Sequence, residues 1–185
     1  MPSHDLEQRI RRLEDRVEIG ELIARYGLVM DNRDMPGMPA LFTEDVIIRS
    51  LDGVMNIQGR AAAVELFRTR FTVLGPSNHV SHDRLIAFDD VDPNRATGVV
   101  LSHAEMNRKG CAMLAAIRYH DRYLRDESQW RFAERILTFM YYIPAAEYLD
   151  ALGPGLARRN RAYGVPQPAD WPEQLASWKA YYGSP

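Results

Sequence analysis

The sequence predicts an α+β protein in which helices come first and a run of long antiparallel strands follows. Two helical patterns lie before residue 75, and four apolar-rich stretches fill most of residues 79–142. Separation of this kind is typical of α+β folds, whereas helices and strands alternate along a βαβ chain. Because strands of about 10 or more residues twist and coil strongly, we expect a cone-shaped barrel, with the sheet wrapped round the N-terminal helices.

The first helix is indicated by an apolar stripe near the N-terminus. Leu6, Ile10, Leu13 and Val17 recur at helical spacing among charged residues. Beyond Val17 the apolar arc widens, as expected where a helix passes from an exposed or partner-facing seam into a core. The polar residues 32–34 end this helix.

A short hairpin and a second helix are predicted between the first helix and the long strands. Residues 46–51 are β-branched and are predicted to form a strand, and Asp52-Gly53 is a strong turn signal before a return strand at 54–57. Apolar residues at helical spacing predict a helix from 61 to about 74. We expect Gly75 and Pro76 to stop it.

The four long strands are predicted by alternating apolar residues and by the turn signals between them. They cover residues 79–88, 96–106, 112–124 and 130–142. The domain is therefore expected to span residues 1–143. Residues 144–185 form a Pro/Gly-punctuated extension with a helix at 173–182, expected to dock on the domain or on a neighbouring subunit because it holds Trp171 and Trp178.

Composition narrows the classes of function. The 185 residues fit one domain, with 46% apolar residues, 26% charged residues and a net charge of −2. The absence of a basic stripe argues against nucleic-acid binding, and the absence of an apolar run of about 20 residues argues against a membrane span. Because the single cysteine, Cys111, cannot form an internal disulfide, a cytoplasmic location is expected. Cys111 itself is expected to be a small buried hydrophobic residue.

Three residues are candidates for proton-transfer chemistry. Tyr26 and Asp31 lie at the end of the first helix, and His79 opens the first long strand. A carboxylate that accepts the imidazole N–H would fix the tautomer and stabilise the imidazolium, and a phenol can donate to a substrate oxygen. The placement of Asp31 is unusual, because the helix dipole disfavours a carboxylate at a C-terminus. The alternative for His79 is a structural histidine at the start of a strand, hydrogen-bonded to a loop. The alternative for Tyr26 is a core tyrosine.

Metal binding is not expected. His79 and His82 are three residues apart, so in a regular strand their side chains point to opposite faces. His103 shares a strand face with Val99 and Leu101, which fits either a pocket-lining or a buried structural histidine.

Several segments together resemble the SnoaL-like polyketide-cyclase group of the nuclear transport factor 2-like superfamily. These are residues 18–26, 31–34 and 41–46, Gly59-Arg60, the His79 strand and Trp130-Arg131-Phe132. The resemblance covers roughly residues 5–143 and implies a curved sheet around a pocket. Likeness to the dehydratases and the dehydrochlorinase of the superfamily implies catalytic roles for His79 and Asp31, and likeness to the dehydratases adds Tyr26. The resemblance also implies substrate-binding positions at Arg135 and, less closely, at His103.

The same resemblance leaves two functions open. The first is a cofactor-independent lyase or isomerase that acts on a small apolar cyclic substrate through His79 and Asp31. The second is a non-catalytic ligand-binding or dioxygenase-small-subunit-like scaffold, in which His79 would be turned away from any cavity. Arg135 lies in an apolar row, so it needs either a substrate anion or an internal partner such as Glu105 or Asp31. We expect a homo-oligomer, trimer or dimer, that buries the outer face of the sheet.

Overall fold

Three helices and one curved sheet make up the parts of the chain that the structure, a computed structural model, describes: residues 6–51, 53–151, 159–160 and 167–183. The helices are α1 (Leu6–Asn32), α2 (Arg60–Phe71) and α3 (Ala176–Tyr182), and short 3-10 helices cover Met38–Leu41, Ala145–Asp150 and Pro172–Gln174. The strands are β1 (Phe42–Ser50), β2 (Asn56–Gln58), β3 (Leu74–Phe88), β4 (Arg95–Arg108), β5 (Cys111–Asp126), β6 (Gln129–Pro144), β7 (Arg159–Asn160) and β8 (Gln167–Pro168).

The sheet has the strand order β2-β1-β6-β5-β4-β3, and β7 and β8 extend it beside β6. The pairs β3–β4, β4–β5 and β5–β6 are antiparallel, whereas β1 runs parallel to β6. Helix α1 packs against both β3 and β6, so the sheet curls around it. The predicted α+β fold with a curved, mostly antiparallel sheet is confirmed.

Strand β3 begins five residues earlier than predicted, and α2 ends at Phe71. Gly75 and Pro76 lie inside the strand instead of stopping a helix. Proline lacks a backbone N–H, which an interior strand needs, but β3 is the edge of the sheet and its pairing with β4 shifts register between Leu74 and Ser77. The edge position therefore explains why the Gly-Pro signal was misinterpreted.

Strand β6 is buried on both faces, and its pairing with β5 shifts register at Met140. Ala116 pairs with Tyr141 and Ile117 pairs with Phe139, which leaves Met140 as an extra residue. As a result Phe139 and Tyr142 both face the concave side, while Tyr141 packs on the outer side in a second cluster with Met140, Ile143, Ala116 and Ala151.

The C-terminal extension contacts β6 on this outer side. Asp170 forms two hydrogen bonds with the backbone of Phe139. Its backbone N–H donates to the Phe139 carbonyl (2.7 Å), and its carboxylate accepts a hydrogen bond from the Phe139 N–H (2.8 Å). The Trp171 ring lies 6.5 Å from that of Tyr141. On α3, by contrast, Tyr181 is 82% exposed.

Two expectations about exposure have different outcomes. The stripe at the start of α1 remains on the surface, with Leu6 65% and Leu13 64% exposed. Cys111 is exposed, so the prediction of a buried cysteine is wrong. It pairs with Arg108 at the tight β4–β5 turn, where the chain is too close to the rim of the sheet to be covered.

None of the described helices combines the length and apolar character that crossing a membrane requires.

Candidate active site

A cavity of about 290 Å³ lies between the two N-terminal helices and the concave face of the sheet. Its walls are mainly apolar and aromatic, with a few polar side chains, as is usual for a small-molecule site. The lining residues from the helices and the segment after them are Tyr26, Met30, Arg33, Phe67, Arg70, Phe71 and Val73. Those from the strands are Leu74, Ser77, His79, Met106, Arg108, Ala115, Ile117, Tyr119, Leu137, Phe139 and Tyr142.

His79 and Asp31 meet at the wall of this cavity. The Nδ1 atom of His79 lies 2.6 Å from Oδ1 of Asp31, and the two side chains are only 19% and 17% exposed. Because a carboxylate only accepts hydrogen bonds, Nδ1 is the donor, and the neutral ring carries its lone pair on Nε2. Nε2 has no hydrogen-bond partner within the described part of the chain. The contact with Asp31 fixes the orientation of the ring and leaves Nε2 as the accepting atom of its neutral form.

The unusual position of Asp31, in the last turn of α1, is compensated by β3. Its carboxylate accepts the backbone N–H of His79 (2.7 Å) and the hydroxyl of Ser77 (2.8 Å) in addition to the imidazole N–H. Burial opposes ionisation of this carboxyl, but the hydrogen bonds from His79 and Ser77 outweigh it and lower the pKa of Asp31 below its ordinary value. Asp31 is therefore a carboxylate at neutral pH.

Ser77 and Arg33 extend this network and were not anticipated from the sequence. Ser77 lies two residues before His79 on the same face of β3, and its hydroxyl accepts a hydrogen bond from Arg33 (2.9 Å) while donating to Asp31. The alternation of Ser77 with His79 would have identified it, had the strand been predicted to start at Leu74.

Tyr26 lies on the buried face of α1 and lines the cavity, 6% exposed. Its ring packs edge-on against Phe67, Tyr119 and Phe132 at centroid distances of 5.8–6.3 Å. Burial raises the pKa of its hydroxyl, and the positive charge of Arg135 only partly offsets this. The hydroxyl stays protonated at neutral pH, as a hydrogen-bond donor must. The structure brings Tyr26 into the same cavity as His79, and its catalytic role stays a prediction.

Tyr119, on β5, is a second buried phenol in the cavity that was not singled out from the sequence. It is 3% exposed, and burial raises the pKa of its hydroxyl too. Neighbouring residues of a strand point to opposite faces, so Tyr119 points inward while His120 beside it is exposed. This alternation was the one sequence signal that could have identified Tyr119 as a cavity residue.

Arg135 does not line the cavity, which corrects its predicted role in substrate binding. Its guanidinium donates to both carboxylate oxygens of Asp121, at 2.9 and 2.8 Å, and both side chains are fully buried. Burial disfavours the charged guanidinium, but the Asp121 carboxylate more than compensates and raises the pKa of Arg135. The partner is therefore neither Glu105 nor Asp31. Asp121 is the residue directly opposite in the β5–β6 register.

His103 lies on the outer face of the sheet, which corrects the prediction that it lines the pocket. The neighbouring Ser102 and Ala104 point inward, whereas the His103 ring is exposed and its Nδ1 lies 2.7 Å from Nε2 of His82. In the sheet register Val80 lies opposite His103, and His82, two residues further along β3, is on the same face. Partial burial and the nearby His82 lower the pKa of His103.

Over the ranges that the structure describes, no group of three or more His, Cys, Asp and Glu side chains is placed to hold a metal ion. The ionisable groups that line the cavity are His79, which is bonded to Asp31, and three arginines, Arg33, Arg70 and Arg108.

Comparison with known proteins gives a match to one family model and similarity to several solved structures. The model of the SnoaL-like domain matches residues 11–136. No curated protein sequence matches the chain significantly. The match covers most of α1, including Asp31, and the strands that carry His79 and Tyr119.

Among the solved structures, a candidate scytalone dehydratase from Novosphingobium aromaticivorans superposes with a TM-score of 0.66 at 19% identity, over 72% of this chain and 89% of that chain. The hexachlorocyclohexane dehydrochlorinase LinA-type3 from Novosphingobium barchaimii gives 0.67 at 18% identity, over 75% and 94%. A Mycobacterium tuberculosis protein of unknown function gives 0.61 at 26% identity, over 75% and 78%. At such low identities, the first two similarities show the fold alone.

Proposed function

The chain belongs to the SnoaL-like domain family, and on that premise we propose that it is a cofactor-independent lyase or isomerase that removes a proton from a small, mostly apolar cyclic substrate. The cavity volume of about 290 Å³ is at the lower end of the range of about 300–1,000 Å³ for ligand pockets. A compound of one or two rings therefore fits better than a larger ring system.

The observation that carries the proposal is the 2.6 Å contact between His79 Nδ1 and Asp31 at the cavity wall. The contact holds the ring with Nε2 as its basic atom. Because Asp31 is ionised, it stabilises the imidazolium that forms when Nε2 takes a proton. The side chains of His79 and Asp31 are only 19% and 17% exposed, and this partial withdrawal from water strengthens their interaction.

The chemistry follows from that arrangement. A substrate C–H next to a carbonyl group would transfer its proton to Nε2 of His79, and the electron pair would move onto the carbonyl oxygen. The hydroxyl of Tyr26 would donate a hydrogen bond to this developing oxyanion. Expulsion of a leaving group from the next carbon completes an elimination, whereas return of the proton to another carbon completes an isomerisation.

The similar structures support an elimination in particular. Their names describe a dehydratase and a dehydrochlorinase, both of which eliminate a small molecule from an organic substrate. Their identity to this chain is low, so the support comes from the shared fold together with the His79–Asp31 geometry.

The non-catalytic alternative requires a different arrangement. A scaffold of the dioxygenase-small-subunit type is favoured by a histidine that is exposed or turned away from the cavity. In this structure His79 lines the cavity, and its side chain is 19% exposed. This position supports the catalytic proposal over the alternative.

A solvent-exchange screen tests the proposal. The protein is incubated in D2O with one- and two-ring ketones and β-hydroxy ketones, and mass spectrometry measures deuterium uptake and loss of water. We expect at least one compound to react with the wild type and not with His79→Gln. His120→Gln is the matched control, since His120 is exposed and outside this cavity. Equal rates for the wild type and His79→Gln would refute the proposal.

A further inference from the structure

Three half-buried arginines line the cavity: Arg33 after α1, Arg70 in the last turn of α2, and Arg108 at the end of β4. No carboxylate from the described residues lies within ion-pair distance of any of them, and none of the cavity-lining residues is acidic. Three arginines thus line a cavity whose other walls are mainly apolar and aromatic.

The contacts of these guanidinium groups are all with neutral partners. Arg33 donates to the Ser77 hydroxyl and to the carbonyls of Met30 and Gly75 and lies 4.4 Å from the Phe71 ring centroid. Arg70 contacts the Met55 sulfur at 3.3 Å. Arg108 lies 5.9 Å from the Tyr142 ring centroid.

The partners of the other arginines in the described chain vary, and Arg12 and Arg16 donate to backbone carbonyls as Arg33 does. Eight of the other arginines form ion pairs with carboxylates, namely Arg49, Arg60, Arg68, Arg95, Arg122, Arg125, Arg131 and Arg135. A guanidinium that is partly withdrawn from water loses solvation, which an anion compensates best. The three cavity arginines lack this compensation from the described residues.

The backbone of Arg33 gives a separate indication that its side chain is required. Arg33 has a φ angle of 56° just after the C-terminus of α1, a conformation that favours glycine. An arginine at such a position is unfavourable for the backbone by itself. The hydrogen bonds of its guanidinium to Met30, Gly75 and Ser77 offset this cost.

The three arginines gather around one short segment, residues 73–77. The Arg70 carbonyl accepts the Val73 N–H, Arg108 pairs with Leu74 in the sheet, and Arg33 contacts Ser77. His79 follows on the same strand. At about 3.3 Å per residue, the strand positions that Arg33 and Arg108 contact, Ser77 and Leu74, lie roughly 7 and 17 Å from His79 along β3.

We propose that Arg33, Arg70 and Arg108 form a binding site for an anionic oxygen group at one end of the substrate, a carboxylate in the first place. This inference rests on the proposed function, because it assigns the anion to the molecule whose ring lies against His79. The substrate is then a small cyclic acid, with the carboxylate on a side chain and the reacting carbon several bonds away. A phosphate monoester has the same oxygen chemistry at its end.

Binding of matched probes tests the anion site. Isothermal titration calorimetry compares 4-cyclohexylbutanoate with its neutral analogue 4-cyclohexylbutanamide and with 3-cyclohexylpropyl phosphate. We expect at least one anionic probe to bind the wild type about tenfold or more tightly than the amide. We also expect only the anionic probes to bind more weakly as NaCl rises, because salt screens charges.

Variants locate the effect. The double variant Arg70→Gln/Arg108→Gln should lose the preference for the anion over the amide. The single variant Arg108→Gln should lose part of that preference. Arg68→Gln is the matched control, because Arg68 is on the same helix, is exposed and pairs with Glu65. If the phosphate probe binds more tightly than the carboxylate probe, the substrate of this site carries a phosphate group. Equal affinity for anions and amide, retention of the preference in the double variant, or no binding of any probe would overturn the proposal.

The two proposals fail in different ways. His79→Gln leaves the arginines in place, so it should abolish deuterium exchange and keep the preference for the anion. If the anion preference is absent while His79-dependent exchange is present, only the anion site is wrong. If the preference is present while no bound compound exchanges, the proton-transfer proposal is wrong.

Discussion

Asp31 accepts two hydrogen bonds from the same residue, His79, one from its backbone N–H at 2.7 Å and one from its ring Nδ1 at 2.6 Å. The backbone bond fixes the end of α1 against β3, and the ring bond fixes the imidazole plane. The same contact therefore joins the fold to the proposed chemistry.

The first prediction concerns the acid stability that Asp31 provides. The unfolded chain has an aspartate of ordinary pKa, about 3.9, and the folded protein has a lower one. The folded state therefore binds fewer protons, so the stabilisation is present above about pH 4 and is lost as pH falls through the lower, folded-state pKa. Urea unfolding between pH 6 and pH 2.5 should show a smaller loss of unfolding free energy for Asp31→Asn than for the wild type.

Ser77→Ala provides a graded version of this experiment, because it removes one of the three hydrogen bonds to Asp31. Its pH dependence should lie between those of the wild type and Asp31→Asn. Asp89, whose pKa is also lowered, contributes to all three proteins equally. Identical slopes for the wild type and Asp31→Asn would show that the network does not perturb Asp31.

The second prediction separates the two buried phenols. Tyr26→Phe removes the hydroxyl and retains the ring that packs against Phe67 and Phe132. The melting temperature should stay close to that of the wild type, while the rate of proton transfer falls by about 10²-fold, as for loss of one oxyanion donor. Tyr119→Phe should have the smaller effect on this rate. Full activity in Tyr26→Phe combined with a loss in Tyr119→Phe would reassign the donor.

The third prediction is that the Arg135–Asp121 pair is structural. Asp121→Ala leaves a fully buried guanidinium unpaired and should lower the free energy of unfolding by about 3–5 kcal/mol. Arg135→Met/Asp121→Leu should recover much of that loss, since neither charge remains. The control is Arg49→Ala, which breaks an ion pair whose arginine is 48% exposed and should cost about 1 kcal/mol or less. Similar denaturation midpoints for Asp121→Ala and Arg49→Ala would contradict this.

The fourth prediction concerns assembly. Apolar side chains are exposed on the outer face of the sheet, with Leu85 77% and Leu101 42% exposed, and on α1, with Leu13 64% exposed. Surfaces of this kind are usually covered in soluble proteins. Sedimentation velocity at micromolar concentration should show a homo-oligomer, either a trimer or a dimer. Leu101→Glu should shift it towards monomer if the sheet forms the interface, and Leu13→Glu should do so if α1 does. A wild-type protein that sediments only as monomer would contradict the prediction.

The fold was predictable where the signal is local. The helical period of α1 and the turn signals of the long strands depend on residues close together in the chain. The start of β3 was missed because its Gly-Pro pair is tolerated only at a sheet edge, and strand order is a tertiary property. The parallel pairing of β1 with β6 joins residues about 90 positions apart and had no local signal.

The site was predictable to a similar degree. The helix end and the strand start indicated Asp31 and His79, and the structure brings them together. Ser77, Tyr119 and the cavity arginines were missed because the inward face and the depth of the pocket depend on register shifts and on packing. His103 was assigned to the wrong face, and the partner of Arg135 was missed because Asp121 lies 14 residues away on the neighbouring strand.

The most direct test of the account is a double-mutant cycle on His79 and Asp31, measured as the rate of deuterium exchange into a compound that the cavity binds. If the two side chains act as one unit, Asp31→Asn lowers the rate by about 10²–10⁴-fold, and adding it to His79→Gln causes no further loss. A wild-type rate in Asp31→Asn, or full exchange in His79→Gln, would contradict the account.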